Sequence, residues 1–184
     1  VGMPIVEIPL IPIADSGDDW SRDGIQGENG WSYGVYEPTA DVDNSYSRDE
    51  FRAFSSAVWT GRRYEWPVAS VDTEISSSNM YPHAEENLVH WPIRRWESNV
   101  DGNLSVEWRV SKSSSDGDGA VARVFHNGVE VDLLQLAATD RTEVTRVIEI
   151  PGVKVGDTID LAMDPKGPAA DVADADGDRL RGWM

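Results

Sequence analysis

No cysteine occurs in the 184 residues, so disulfides and thiolate metal centres are excluded together. Histidine is nearly as scarce. His83, His90 and His126 are the three present, and they show neither a metal-ligand spacing nor a Gly-x-Ser-x-Gly nucleophile elbow. No apolar run approaches the roughly 20 residues that a membrane helix needs, so the chain reads as soluble and without a membrane partner. Basic residues are few: 16 Lys and Arg stand against 33 Asp and Glu, for a net charge of −17. That surplus repels phosphate polymers at long range and removes nucleic acid from the expected partners. Internal repeats and heptads are also lacking, and the length suits one two-sheet domain over residues 1–184.

What is present is strand periodicity. Leu104, Val106, Trp108 and Val110 alternate with Ser105, Glu107, Arg109 and Ser111, giving one apolar and one polar face. Ala120 to His126 meets Asn127-Gly128 and continues through Val129, Val131 and Leu133, which predicts a hairpin on a type I′ turn. Val144 to Ile150 ends at Pro151-Gly152, and Ile159, Leu161 and Met163 follow the Gly156-Asp157 turn. Strands joined by turns, without helix-length connections, predict an all-β antiparallel sandwich of jelly-roll type with at most one or two short helices.

Outside that stretch the signals are local. Prolines 4, 9 and 12 make residues 1–14 an edge strand or extended arm. Trp31, Tyr33 and Val35 share one face and read as core. Ser47-Arg-Asp-Glu50 has the spacing of a capping box, which predicts a short helix. Ser55 to Trp96 reads as irregular, and residues 179–184 as a frayed tail.

Charge is unevenly distributed. The window from Arg52 to Arg109 carries only −2 of the −17 and holds five of the eight tryptophans. Within it lie Trp59, Arg62, Arg63 and Trp66, then His90, Trp91, Arg94, Arg95 and Trp96. Sugar rings pack their C–H faces on indole, and forked Arg donors match hydroxyl, carboxylate or sulfate groups, so these nine are the candidate carbohydrate-binding residues. The competing reading puts the Trp side chains in the core and the Arg side chains in surface ion pairs, although eight tryptophans predict at least one exposed. Asp171, Asp174, Asp176 and Asp178 gather hard oxygen ligands suited to a structural Ca²⁺, as does the Asp116-Gly-Asp118-Gly119 loop, although neither is an EF-hand. A solvated acidic turn is the alternative for both.

The segment Gln26-Gly-Glu-Asn-Gly-Trp-Ser-Tyr-Gly34, with Trp91, Trp96, Trp108, the Asp116–Gly119 loop and Gly156-Asp157-Thr-Ile-Asp-Leu161, resembles non-catalytic carbohydrate-binding modules. Such modules are β-sandwich accessory domains of secreted bacterial, often marine, polysaccharide-degrading enzymes. The resemblance spans about Asp18 to Asp178 and transfers no residue-level sugar contacts. It implies a secreted, extracellular module of a larger multidomain protein that tethers an enzyme to an algal galactan or another sulfated or uronate-containing glycan. Two alternatives stand beside it. Tyr81-Pro82-His83 with a nearby Arg offers acid–base chemistry for a jelly-roll lyase, or two of the many carboxylates a hydrolase, yet the Gln-x-His and Tyr-Phe-Lys strands of alginate lyases are missing. The other alternative is a calcium-stabilised structural or adhesion module.

Overall fold

A computed structural model describes residues 12–68, 71–85, 87–115, 117–166 and 179–184. Among them the chain forms β1 (Trp31–Tyr36), β2 (Arg52–Ala53), β3 (Arg63–Glu65), β4 (Glu74–Ser76), β5 (Asn79–Tyr81), β6 (His83–Glu85), β7 (Leu88–Glu97), β8 (Gly102–Lys112), β9 (Gly119–His126), β10 (Val129–Ala137), β11 (Val144–Val153), β12 (Thr158–Asp164) and β13 (Leu180–Trp183). Helix among these residues is confined to three single 3-10 turns, Pro38–Ala40, Arg48–Glu50 and Ser56–Val58. None is long and apolar enough to cross a membrane.

The strands build two antiparallel sheets, an all-β sandwich of jelly-roll type. A front sheet runs β10-β9-β12-β7-β1-β2, with β6 added to β7, and a back sheet runs β11-β8-β13-β5-β4-β3. From β7 onward the chain passes between the sheets at every step except the β9–β10 hairpin, which is why β7 and β8 lie in different layers. The core fills the space between the sheets. Trp31, Tyr33, Val124, Ile159, Leu161 and Met163 from the front meet Trp108, Val110, Ile75, Met80, Ile150 and Leu180 from the back. Removing each such side chain from water contributes about 1.5–3 kcal/mol before the entropy of ordering is counted. A second cluster covers the outer face of the front sheet, where Tyr46 and Phe51 from the loop after β1 pack on Tyr36, Ile93, Phe125 and Ala162.

The strands expected between Val100 and Met163 are β8 to β12, with alternation as predicted: Val106, Trp108 and Val110 are buried, while Ser105, Glu107 and Arg109 are exposed. The hairpin turn is present, with Asn127 and Gly128 at φ 52° and 80°. A side chain on Gly128 meets that positive φ and also runs into the backbone nitrogen of Arg48. Gly128→Ala is therefore expected to cost about 1–2 kcal/mol, seen as a lower urea midpoint at unchanged slope.

Three expectations need correction. Leu88–Glu97 lies in the stretch read as irregular, yet it is β7, a ten-residue strand inside the front sheet between β1 and β12. The end of the chain, read as frayed over 179–184, supplies β13, which sits between β8 and β5. There Ser16 N–H donates to the carbonyl of Met184 at 2.9 Å, and Met184 N–H donates to Ser16 Oγ at 3.0 Å. The tryptophans leave none exposed: Trp31, Trp96 and Trp108 are buried, and Trp20, Trp59, Trp66, Trp91 and Trp183 are half-buried. Of the expected N-terminal arm, residues 1–11 lie outside the described residues, and Ala14 packs on the core. The capping box forms, with Ser47 N–H donating to the Glu50 carboxylate at 2.6 Å, but it caps one turn because Phe51 is already extended.

Candidate functional site

Strand alternation sorts the nine predicted sugar contacts into three places. On β7, His90, Arg94 and Trp96 point into the sandwich and are buried, whereas Trp91 and Arg95 point to its outer face. That outer face is covered. Arg95 pairs with Asp160 at 2.8 Å and lies 4.2 Å from the Phe51 ring centre, while Arg123 lies over Trp91 at 5.2 Å. Trp59, Arg62, Arg63 and Trp66 sit together at the far edge of the back sheet, around β3. Trp59 bridges to Tyr64, and Thr60 N–H donates to the carbonyl of Arg63, which leaves Arg62 exposed at the tip of a tight turn.

Beside that turn, the outer face of β3, β4 and β5 forms a polar cleft of about 400 Å³. Its walls are Arg63, Glu65, Asp72, Glu74, Asn79, Tyr81, Pro82 and Arg179. The local sequence explains the shape. Arg-Tyr-Glu, Glu-Ile-Ser and Asn-Met-Tyr each alternate polar and apolar residues, so Tyr64, Ile75 and Met80 enter the core and the flanking residues face out. Register then places Arg63 opposite Ser76, Glu65 opposite Glu74 and Glu74 opposite Tyr81. Arg63 holds the two like charges together, with Nη2 3.1 Å from Glu65 and Nε 3.0 Å from Glu74. Burial raises the Glu74 carboxyl above its ordinary range, and Arg63 opposes that shift. Arg179 lies 5.6 Å from the Tyr81 ring centre. The cleft thus offers forked donors, carboxylate acceptors and an aromatic ring within one depression.

Of the nine predicted sugar contacts, only Arg63 lines this cleft. Tyr81 was singled out only for acid–base chemistry; Glu74 and Asn79 escaped the sequence reading because three-residue strands are too short to show a period, and Arg179 because the segment that holds it was read as a frayed tail. The available signal was the pair of alternating triplets flanking Ser77-Ser78, a two-residue turn.

The predicted calcium ligands Asp171, Asp174, Asp176 and Asp178 lie outside the described residues, as does Asp116. One acidic group is seen elsewhere: Asp41, Asp43 and Glu50 bring carboxylate oxygens within 4.8 Å of one another. Their hydrogen bonds already explain them. Asp41 accepts from the Tyr36 hydroxyl at 2.7 Å and from Ser45 N–H at 3.0 Å, and the Tyr36 bond holds its pKa near 2. Glu50 caps Ser47.

No family model matches the chain, and no characterised protein matches it in sequence. Among solved structures, a β-glucosidase from Kluyveromyces marxianus aligns at a TM-score of 0.34 and 10% identity over 88% of this chain and 17% of that one. The same enzyme in complex with glucose gives 0.32 and 11%, over 85% and 16%. This chain therefore spans about a sixth of those chains, and at such scores the likeness carries no functional argument.

Proposed function

We propose that the protein binds a polysaccharide without cleaving it, as a secreted module that holds an attached enzyme on its substrate. The observation that carries this reading is the cleft over β3 to β5, where Arg63, Arg179, Asn79, Glu65 and Glu74 surround Tyr81. Hydroxyl-rich sugars both donate and accept, and a surface presenting both kinds of partner beside an aromatic face matches them. Three carboxylates against two guanidiniums favour a neutral galactan stretch over a densely sulfated one. Trp59 and Arg62, on the bordering turn, extend the contact along the sheet edge.

Replacing Tyr81 and Arg63 by Ala together is expected to weaken retention in an agarose-type galactan affinity gel about tenfold or more, as loss of an interface anchor does. Unchanged retention of the folded double variant removes the cleft from the account. A second reading rests on Glu65 and Glu74, opposed across β3 and β4 with Glu74 raised by burial, as an acid and base of a glycoside hydrolase are. New reducing ends released by the parent and not by Glu74→Gln would replace binding by hydrolysis.

A further inference from the structure

Arg94 lies between the two sheets, fully buried, against the apolar and aromatic core. Its Nη2 donates to the carbonyls of Ser76 at 2.5 Å and Asn79 at 3.4 Å, which ties β7 to the β4–β5 hairpin across the sandwich. Its Nε and Nη1 meet no hydrogen-bond partner. No carboxylate pairs with it among the described residues. Burial pulls its pKa down to about 10, and the influence that opposes this comes from Tyr33. A buried guanidinium without a counter-charge is among the costliest arrangements a core can hold.

Two further orphans share the place. The hydroxyls of Tyr33 and Tyr64 are buried and also lack partners. Tyr33 is the cross-strand neighbour of Arg94 on β1, and its ring stacks on that of Tyr64 at 5.7 Å. Trp20 closes the group, 5.6 Å from the guanidinium carbon and 4.4 Å from the Tyr33 ring. Three N–H donors on two guanidinium nitrogens, two O–H donors and one positive charge without a carboxylate partner therefore occupy one aromatic-walled cluster.

We propose that this cluster holds a small anion, a halide or a carboxylate group, with Arg94 supplying the charge and Tyr33 and Tyr64 supplying hydroxyl donors. Water would satisfy the donors and leave the charge uncompensated. An anion meets both demands, and a metal cation is excluded by the sign of Arg94. The site is separate from the outer cleft and does not depend on sugar binding.

The test is a set of melting curves at constant ionic strength, after dialysis into sodium gluconate, with gluconate exchanged stepwise for chloride, bromide or acetate. Gluconate, a bulky and strongly hydrated anion, serves as the reference. A small anion is expected to raise the melting temperature saturably by about 2–4 °C or more, by binding only the folded state. Response to chloride and bromide alone identifies a halide site, and response to acetate a carboxylate site. Tyr33→Phe/Tyr64→Phe, whose fold is checked by circular dichroism, should need at least about tenfold more anion for the same shift. Arg94→Met should show none. Melting temperatures in the parent that ignore the anion, or that rise equally in the tyrosine variant, overturn the proposal, and the tyrosine variant keeps the test decisive if Arg94→Met does not fold.

Discussion

Asp160→Ala should lower the stability of the protein by about 3–5 kcal/mol, because it strands a mostly buried guanidinium. Asp160 is on β12, fully buried beneath the loop that follows β1. It faces Arg95 across the β7–β12 ladder and accepts from Nε at 2.8 Å and Nη2 at 2.9 Å. The Tyr46 hydroxyl donates to the same carboxylate at 2.6 Å, while Arg95 also donates to Tyr46 at 2.8 Å and to the carbonyl of Arg48 at 2.9 Å. These bonds pin residues 46–48 onto the front sheet and keep the aromatic cluster of Tyr36, Tyr46 and Phe125 covered. Without the carboxylate, Arg95 keeps its charge and loses its counter-charge in a place where water reaches little of it. Joint replacement by apolar residues, Arg95→Met with Asp160→Leu, should recover most of the loss, since a buried ion pair and a well-packed apolar pair are often close in energy. Urea denaturation of the two variants measures both quantities. A cost below about 1 kcal/mol for Asp160→Ala would show that the pair is solvated and that the loop is held by packing alone.

Legibility in the sequence followed the length and purity of alternation. β8 and β12 could be read because each carries several apolar residues at period two, and the Asn127-Gly128 turn because few residue pairs tolerate two successive positive φ values. β7 was hidden by its own contents. Inward it presents His90, Arg94 and Trp96, so polar residues occupy core positions and the binary pattern fails. Pro92 compounds this, since proline argues against a central strand. It is tolerated because the β6 ladder ends at His90 and the β12 ladder begins at Ile93, so on that flank no strand requires its N–H. The same strand explains why the Trp and Arg cluster is dispersed. Adjacent residues on a strand face opposite ways, so Arg94 and Arg95, neighbours in sequence, end on opposite sides of the sheet. Trp59 and Arg63 remain near each other because a tight turn joins them.

Acid should unfold the protein in two separable stages, and His90 is expected to account for the upper one. Its imidazole is fully buried, with Nδ1 2.8 Å from Thr73 Oγ1 and the Trp66 ring 4.4 Å away. Nε2 meets no hydrogen-bond partner, and the Glu37 carboxylate stands 3.9 Å off. Burial pulls the pKa to about 4 from 6.5, while Glu37 opposes the shift and His83 adds to it. The unfolded chain therefore takes up this proton near pH 6.5 and the folded chain only near pH 4. Protons favour the unfolded state throughout that window, so the contribution is complete above about pH 6.5 and shrinks as pH falls to 4, by up to about 3 kcal/mol. Asp157 belongs to the lower stage. Hydrogen bonds from Asn127, Lys154 N–H and His126 hold its pKa near 2, so its contribution is lost only as pH falls below the ordinary carboxylate range. Glu74 and Asp164, raised by burial, act with the opposite sign and gain stability on protonation. His90→Gln keeps a polar partner for Thr73 and cannot titrate, so it isolates the upper stage. Urea midpoints at several pH values between 7 and 4 should fall more steeply for the parent than for the variant. Parallel curves would mean that water reaches His90 and that its charge costs the folded state nothing.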